Sequence, residues 1–564
     1  MISKKKNMKR IIKTALFLTS FASIGLTLNS CQDALDIVQP GQLDEETLFT
    51  SVSNMNDFLL GSVYSELDTN DEIYFTAVFT DEVKPGSGSG GQQFSLHRHF
   101  IDPSVGLING DGDGGSSTTR GIWLNHYRVI NRVNRLLAGA AKVVPSSSAE
   151  QSQYNRILAQ ARAIRAYSYV HLEAYFSTDM KNPNALGVIL IKDVPATNAQ
   201  LPRSTNQEIY DFINADLDYA RNILTYGTDR YYIDKGFVNA LSARFNAYRG
   251  NYPLAKQYAQ DVISNSGLTL TLATPITGTN PNIPNNPNYA SGPYTFPDQS
   301  INWKNAFYGG TTVATGNGLV GGSFNPYRKI WTDSSREEVI FSLNRLPTGI
   351  GSSIGTRWNT NGSLVSGVPM WFLGRNLFNL IYDPNSDKGD IRRYTYLDPS
   401  STIDNNYATS SSPINTDKLV IDKYPGKANT STRNDIKVFR LSEMYFIVAE
   451  AEVSANNLSA AQTLIQQVRA ARNYLGTATT PSYTSSQAAY ADILKERRIE
   501  LALEGHRYID LKRLATQAGV TMDRNPTDDL VTVTNLQNGS YKYTLPIPIN
   551  EISANPNVQQ NPGY

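Results

Sequence analysis

Apolar residues return every three or four positions over long stretches of this 564-residue chain, a spacing that predicts helices. Trp123, Tyr127, Ile130, Val133 and Leu137 mark one such face, with Asn134 beside them. The same period marks 158–176, 209–224, 237–249 and 254–263, returns at Leu441, Met444, Tyr445 and Val448, and continues through 460–471 and 490–514. Ahead of these, Leu48, Phe49, Met55, Phe58, Leu59 and Val63 follow the acids Asp44, Glu45 and Glu46, as amphipathic helices with acidic first turns do.

Two of the helical runs share a theme. Ala161-Arg-Ala-Ile-Arg-Ala-Tyr167 is echoed by Ala240-Leu-Ser-Ala-Arg-Phe-Asn-Ala-Tyr248, and the second leads into Gly250-Asn-Tyr252 with Ala255 and Ala259 beyond. Small Ala positions let helices approach closely, and a Gly-Asn-Tyr turn between two such runs predicts a tetratricopeptide-like hairpin. A helical-repeat scaffold is therefore expected.

Between 264 and 434 the periodicity gives way to Gly, Pro, Asn, Ser and Thr around short apolar runs, with Trp303, Tyr308, Tyr327, Trp331, Trp358 and Trp371 among them. A long irregular stretch in a folded chain is usually functional or disordered, and aromatics at this density argue against disorder. The chain ends in Leu545-Pro-Ile-Pro and Gln560-Asn-Pro-Gly-Tyr564, an extended, proline-held segment expected to lie on the helical body. These patterns divide the chain into a leader at 1–30, an N-terminal helical part at 31–263, an irregular aromatic part at 264–434 and a C-terminal helical part with its tail at 435–564, the last three as one folded unit.

The leader carries Lys4, Lys5, Lys6, Lys9, Arg10 and Lys13, no acid, and then an apolar run from Ala15 to Leu28. That is the make-up of a secretion signal; the run falls short of the roughly twenty residues of a permanent membrane helix. The single cysteine, Cys31, follows directly on Leu28-Asn29-Ser30, a spacing that resembles a bacterial lipobox. Cys31 is therefore the expected lipidation site, and with no second thiol no disulfide can staple the fold. Without the leader, the 51 basic and 50 acidic residues become a net charge of about minus five, which offers no basic field for nucleic acid.

Taken together, these ends and helices resemble the SusD/RagB family of Bacteroidetes outer-membrane lipoproteins. The resemblance rests on Ser30-Cys31-Gln-Asp33, the Trp123/Tyr127/Asn131/Asn134 helix, Ala161 to Tyr167, Asp216-Leu217, and the Arg244/Tyr248/Gly250/Tyr252 hairpin. It is strongest in Arg440-Leu-Ser-Glu443-Met-Tyr445, Glu496-Arg-Arg-Ile-Glu500-Leu-Ala-Leu-Glu504-Gly-His-Arg507 and the terminal segment, and weakest over 264–434. It implies a mainly α fold: a right-handed superhelix of four tetratricopeptide-like hairpins packed against a loop-rich subdomain that carries the ligand site. It also implies a non-catalytic receptor at the cell exterior, held in the outer membrane by its N-terminal lipid, which passes a glycan to a SusC-like TonB-dependent barrel and acts as the barrel's lid. Peptide binding in the manner of RagB, or a surface glycosidase, are the alternatives, and no cofactor is implied.

The residues themselves nominate few catalytic groups. Glu496, Glu500 and Glu504 at intervals of four, with Arg497, Arg507 and Arg513 interleaved, read as structural charge pairs rather than as an acid/base pair. The histidines at 97, 99, 126, 171 and 506 form no His-Glu-x-x-His, so spacing nominates no zinc site. Asn109, Asp111 and Asp113 with Gly114 repeat the first half of a calcium loop, but its twelfth position is Arg120 rather than Glu. For binding, aromatic faces suit sugar rings, with polar partners for the hydroxyls. Trp303 and Trp358, flanked by Asn302, Asn305 and Arg357, are the first candidates, with Tyr308 and Tyr327 beside them. Alternation in Leu96-His97-Arg-His99-Phe100 would put His97 and His99 on one face, toward ligand.

Overall fold

The computed structural model describes residues 48–564 apart from 87, 90–92, 104–115, 274–324, 347–353, 359–368, 399–400, 411–415, 428–429 and 529–534. The fold is mainly α. Among the described residues ten helices have ten residues or more: α1 Asn70–Phe79, α2 Ser116–Ala140, α3 Ser148–Phe176, α4 Asn206–Ile223, α5 Lys235–Tyr248, α6 Tyr252–Asn265, α7 Leu441–Ser454, α8 Leu458–Arg472, α9 Ser486–Glu500 and α10 Arg507–Ala518.

Local chemistry sets their ends. Ser147 accepts from the Glu150 N–H to start α3, Thr205 and Glu208 form a reciprocal capping box at α4, and Asp234 accepts from the Phe237 N–H at α5, each satisfying amides that the helix cannot. Between α5 and α6 the chain turns at Gly250, whose φ of 75° costs a residue without Cβ little. Successive helices lie against one another: α2 on α3, α3 on α4, α5 on α6, α6 on α7, α7 on α8 and α9 on α10.

Strands are short and pair in antiparallel twos. β1 (Val83–Pro85) pairs with β5 (Trp371–Leu373), β2 (Leu186–Ile189) with β3 (Arg203–Thr205), β4 (Val339–Leu343) with β8 (Ile436–Arg440), and β6 (Gly426–Lys427) with β7 (Thr430–Ser431). The β1–β5 and β4–β8 pairs stitch the irregular part to the chain on either side of it. One hydrophobic core runs from Phe49 to Val558, and a smaller one gathers Phe446, Ile465, Val468, Ile493 and Leu514 from α7 to α10. No helix among the described residues is long and apolar enough to cross a membrane.

The C-terminal tail lies on the helical body, interrupted by a short helix at Ile549–Ala554. The Leu545 N–H donates to the Tyr175 carbonyl at 2.8 Å. Asn561 Nδ2 donates to the carbonyls of Phe176 and Leu545 at 2.9 and 2.7 Å, and Leu545 and Ile547 are fully buried.

An aromatic groove and a buried ion network

Just before α1 the backbone widens into a π-helical turn at Leu59–Tyr64, a departure from α geometry that often accompanies functional positions. Leu59 and Val63 point into the core, and Leu60, Tyr64 and Ser65 line a groove of about 460 Å³ with Tyr231, Tyr232 and the segment Phe341–Leu346. Tyr64 Oη donates to Gln160 Oε1 at 2.5 Å and accepts from the Ile233 N–H at 2.9 Å, which anchors the loop ahead of α5. Tyr231 Oη donates to Asp435 Oδ2 at 2.9 Å. Burial opposes the charge on Asp435, but Lys437 and Lys427 hold it below the usual carboxylate range.

Between these two anchor points Tyr232 is 47% exposed, its ring set edge-on to Tyr64 with centroids 6.1 Å apart. It also lines a neighbouring hollow of about 520 Å³ that carries Asn155, Arg156, Asp229 and Asp234. Tyr232 is thus a ridge between an aromatic groove, where Asn344 and Leu346 are exposed, and a polar hollow. An open aromatic face beside hydrogen-bonding side chains is the composition of a site for an amphipathic ligand.

The residues singled out from the sequence fare differently. Trp303, Tyr308, Cys31, Asn109, Asp111 and Asp113 lie outside the described residues. Trp358 is 1% exposed and packs against Tyr74, ring centroids 5.8 Å apart. Tyr327 is fully buried beneath the Arg472 guanidinium, 4.8 Å from its ring centre. Neither offers a face to a ligand, because each ring is packed inside the fold. His97 and His99 are also buried, and the alternation expected of them is absent: Phe94–His97 is a short helix and His99 has a φ of 62°. Their ring nitrogens meet the carbonyls of Val78 and Phe79 at 2.9 and 3.0 Å, capping the end of α1 together with Arg524. Burial drives His99 down to about 2, which fits this neutral structural role.

The glutamates at 496, 500 and 504 are structural, but their partners are distant in sequence. Glu496 takes Arg392 and Arg469, each at 2.7 Å. Glu500 takes Arg440 at 2.7 Å and Arg472 at 2.8 Å. Glu504, beyond the end of α9, takes Lys423 at 2.7 Å and Arg440 at 2.8 Å. Burial alone would raise Glu500, yet Arg472, Arg440 and Arg392 hold it well below the usual range. A carboxylate so neutralised carries no proton to donate and has no open face.

Sequence spacing also missed a convergence on three helices. Glu72 of α1, His126 of α2 and His171 of α3 bring one ligand-type atom each to within 4.8 Å of the others. Only packing shows it, since the three are spread over a hundred residues of chain.

Comparison with known proteins agrees with this architecture. Residues 354–564 match the family model described as SusD family, and residues 92–243 match one described as starch-binding associating with outer membrane. A SusD-like protein P2 of Formosa agariphila is 24% identical over 97% of this chain and 99% of its own length. Among solved structures, a SusD superfamily protein of Bacteroides thetaiotaomicron aligns with a TM-score of 0.66 at 22% identity, over 91% of this chain and all of that one. A structure described as a laminarin-binding SusD-like protein aligns with a TM-score of 0.60 at 21% identity, over 92% of this chain and all of that one. The two model matches together span more than half of the sequence, and with relatives aligned end to end the chain belongs to the SusD/RagB family.

Proposed function

We propose that the protein is a non-catalytic surface receptor that binds an oligosaccharide and hands it to a TonB-dependent barrel in the outer membrane. The observation that carries the binding step is the groove around Tyr232: an exposed tyrosine set edge-on to the anchored Tyr64, with exposed Asn344 lining the same groove. A sugar presents apolar C–H faces and a rim of hydroxyls, which this pairing of aromatic and amide suits. The laminarin-binding neighbour and the starch-binding description of the N-terminal match support a glycan as the ligand class. In this reading Trp303 and Tyr308 add further platforms from the irregular part.

Delivery follows from the family relationship and the lipobox-like Cys31, whose lipid would hold the receptor on the outer face of the membrane beside its barrel. Ligand contacts made only when the receptor lies over the barrel would shift the pair from open to closed.

The test is affinity electrophoresis against algal, plant, host and microbial glycans and mixed peptides, confirmed by calorimetry. A glycan that binds wild type and is weakened about tenfold or more by Tyr232→Ala supports the groove. Peptide binding without any glycan would replace this reading with a RagB-like one. For delivery, the lipid-anchored chain isolated from outer membranes should bring a TonB-dependent barrel with it, and its absence would sink the lid role.

A further inference from the structure

We propose that Glu72, His126 and His171 form a buried site for a divalent transition metal, with zinc the cation its donors suit. The site stands apart from the aromatic groove and does not depend on the glycan reading. Glu72 sits in the first turn of α1, His126 midway along α2 and His171 late in α3. Glu72 and His126 are 2% and 1% exposed.

His126 and Glu72 form a hydrogen-bonded pair, and His171 stands just outside hydrogen-bond reach of it. His126 Nε2 lies 2.7 Å from Glu72 Oε1, but His171 Nδ1 lies 3.6 Å from that same oxygen, too far for a hydrogen bond. A tetrahedral ion with bonds of 2.0–2.1 Å holds its ligand atoms about 3.3 Å apart, and the two separations bracket that value. Among the described residues Glu72 Oε2, His126 Nδ1 and His171 Nδ1 are buried without a hydrogen-bond partner, a cost in free energy that an ion bound to Glu72 and His171 would relieve at two of the three atoms.

Two imidazoles and one carboxylate suit zinc better than calcium or magnesium. A cavity of about 40 Å³ lined by His171, Glu72, Tyr167, Tyr175, Arg244 and His506 adjoins the cluster, enough for one water as a fourth ligand. The nearby Arg244 is engaged by both oxygens of Glu443 at 2.7 and 2.6 Å, so its charge is locally balanced. A bound ion would pin α1 to the α2–α3 pair.

The experiment uses the full-length chain, free of any affinity tag, in detergent and stripped with chelator. Zinc is added, free ion removed, and bound metal measured alongside the melting temperature. The expected result is one zinc per chain, a melting temperature raised by zinc and not by magnesium, and affinity about tenfold or more weaker in Glu72→Gln and His171→Gln. Wild type that takes up no zinc, or variants that bind it as wild type does, would overturn the site. Because a buried substitution can prevent folding, cobalt(II) is added to wild type as a second reading. The intense visible bands of tetrahedral cobalt at one equivalent support the assignment; a colourless or weakly coloured protein contradicts it.

Discussion

Glu500, at the end of α9, accepts from Arg440 Nη1 at 2.7 Å across 60 residues of chain, and the same carboxylate also holds Arg472 and Arg392. All of these groups are buried, and although Arg392 keeps Glu496, Arg440 keeps Glu504 and Arg472 keeps Glu338, removing the shared anion leaves the network with an uncompensated buried positive charge. Glu500→Ala is expected to destabilise the protein by about 3–5 kcal/mol, read as a lower urea midpoint at unchanged slope. A loss of under about 1 kcal/mol, the worth of an exposed pair, would show that solvent reaches the network and screens it.

That network shows how far the sequence could be read. The glutamate spacing identified charged groups with structural partners, but Arg392, Arg440 and Arg472 come from three other elements, and no local rule pairs them. Helices were legible where one face is apolar: 209–224 and 254–263 fall on α4 and α6. The start of α3 was hidden because Ser148 to Asn155 are largely exposed and polar. The run 490–514 read as continuous, whereas the structure breaks it between α9 and α10, where Leu503 and Gly505 take φ of 61° and 86°; Leu501 and Leu503 stay buried, so the apolar rhythm crosses the break. The groove was not legible, since exposure of Tyr232 depends on Tyr64 holding Ile233 from 169 residues away. An aromatic in the Gly- and Pro-rich part reads as a surface platform even where, as with Trp358, it is packed inside.

Trp358 and Tyr232 should separate cleanly by substitution. Trp358→Ala removes a fully buried indole and is expected to cost about 3–5 kcal/mol. Tyr232→Ala removes a half-exposed ring and should change stability by only about 0.5 kcal/mol while weakening glycan binding. Urea unfolding and calorimetry on the two variants decide it. A Trp358→Ala protein of wild-type stability that has lost glycan affinity would restore the indole as a platform.

The tail tests whether the C-terminus is part of the fold. Asn561 is 1% exposed and donates to two carbonyls, one on α3 and one at the start of the tail itself. Asn561→Ala leaves both buried acceptors short of a donor, at a cost of about 1–3 kcal/mol. Faster proteolysis beyond Leu545 should accompany the lower stability. Unchanged cleavage would mean that Leu545 and Ile547 hold the tail without it.

Glu82 gives a pH dependence with a defined sign. Its carboxyl is fully buried, accepts from the Leu503 N–H at 3.1 Å and adjoins Asp81. Burial, reinforced by the Asp81 charge, pushes it up to about 8 from an ordinary 4.5. A folded-state value above the unfolded one means that the fold binds the proton more tightly. The stabilisation is complete below about pH 4.5 and is lost as pH rises through about 8, with a slope of up to about 1.4 kcal/mol per pH unit in between. Glu82→Gln keeps an oxygen for the Leu503 N–H but has no proton to lose, so its stability relative to wild type should improve steadily from pH 5 to pH 8. Glu173, also pushed up to about 8 by burial, is present in both proteins and cancels in the difference. Asp81 is held far below the usual range despite its burial, by Arg498 and Arg507, and stays ionised throughout. Unfolding free energies of the pair at several pH values supply the measurement; a constant difference would mean that Glu82 ionises in the fold as readily as in the unfolded chain.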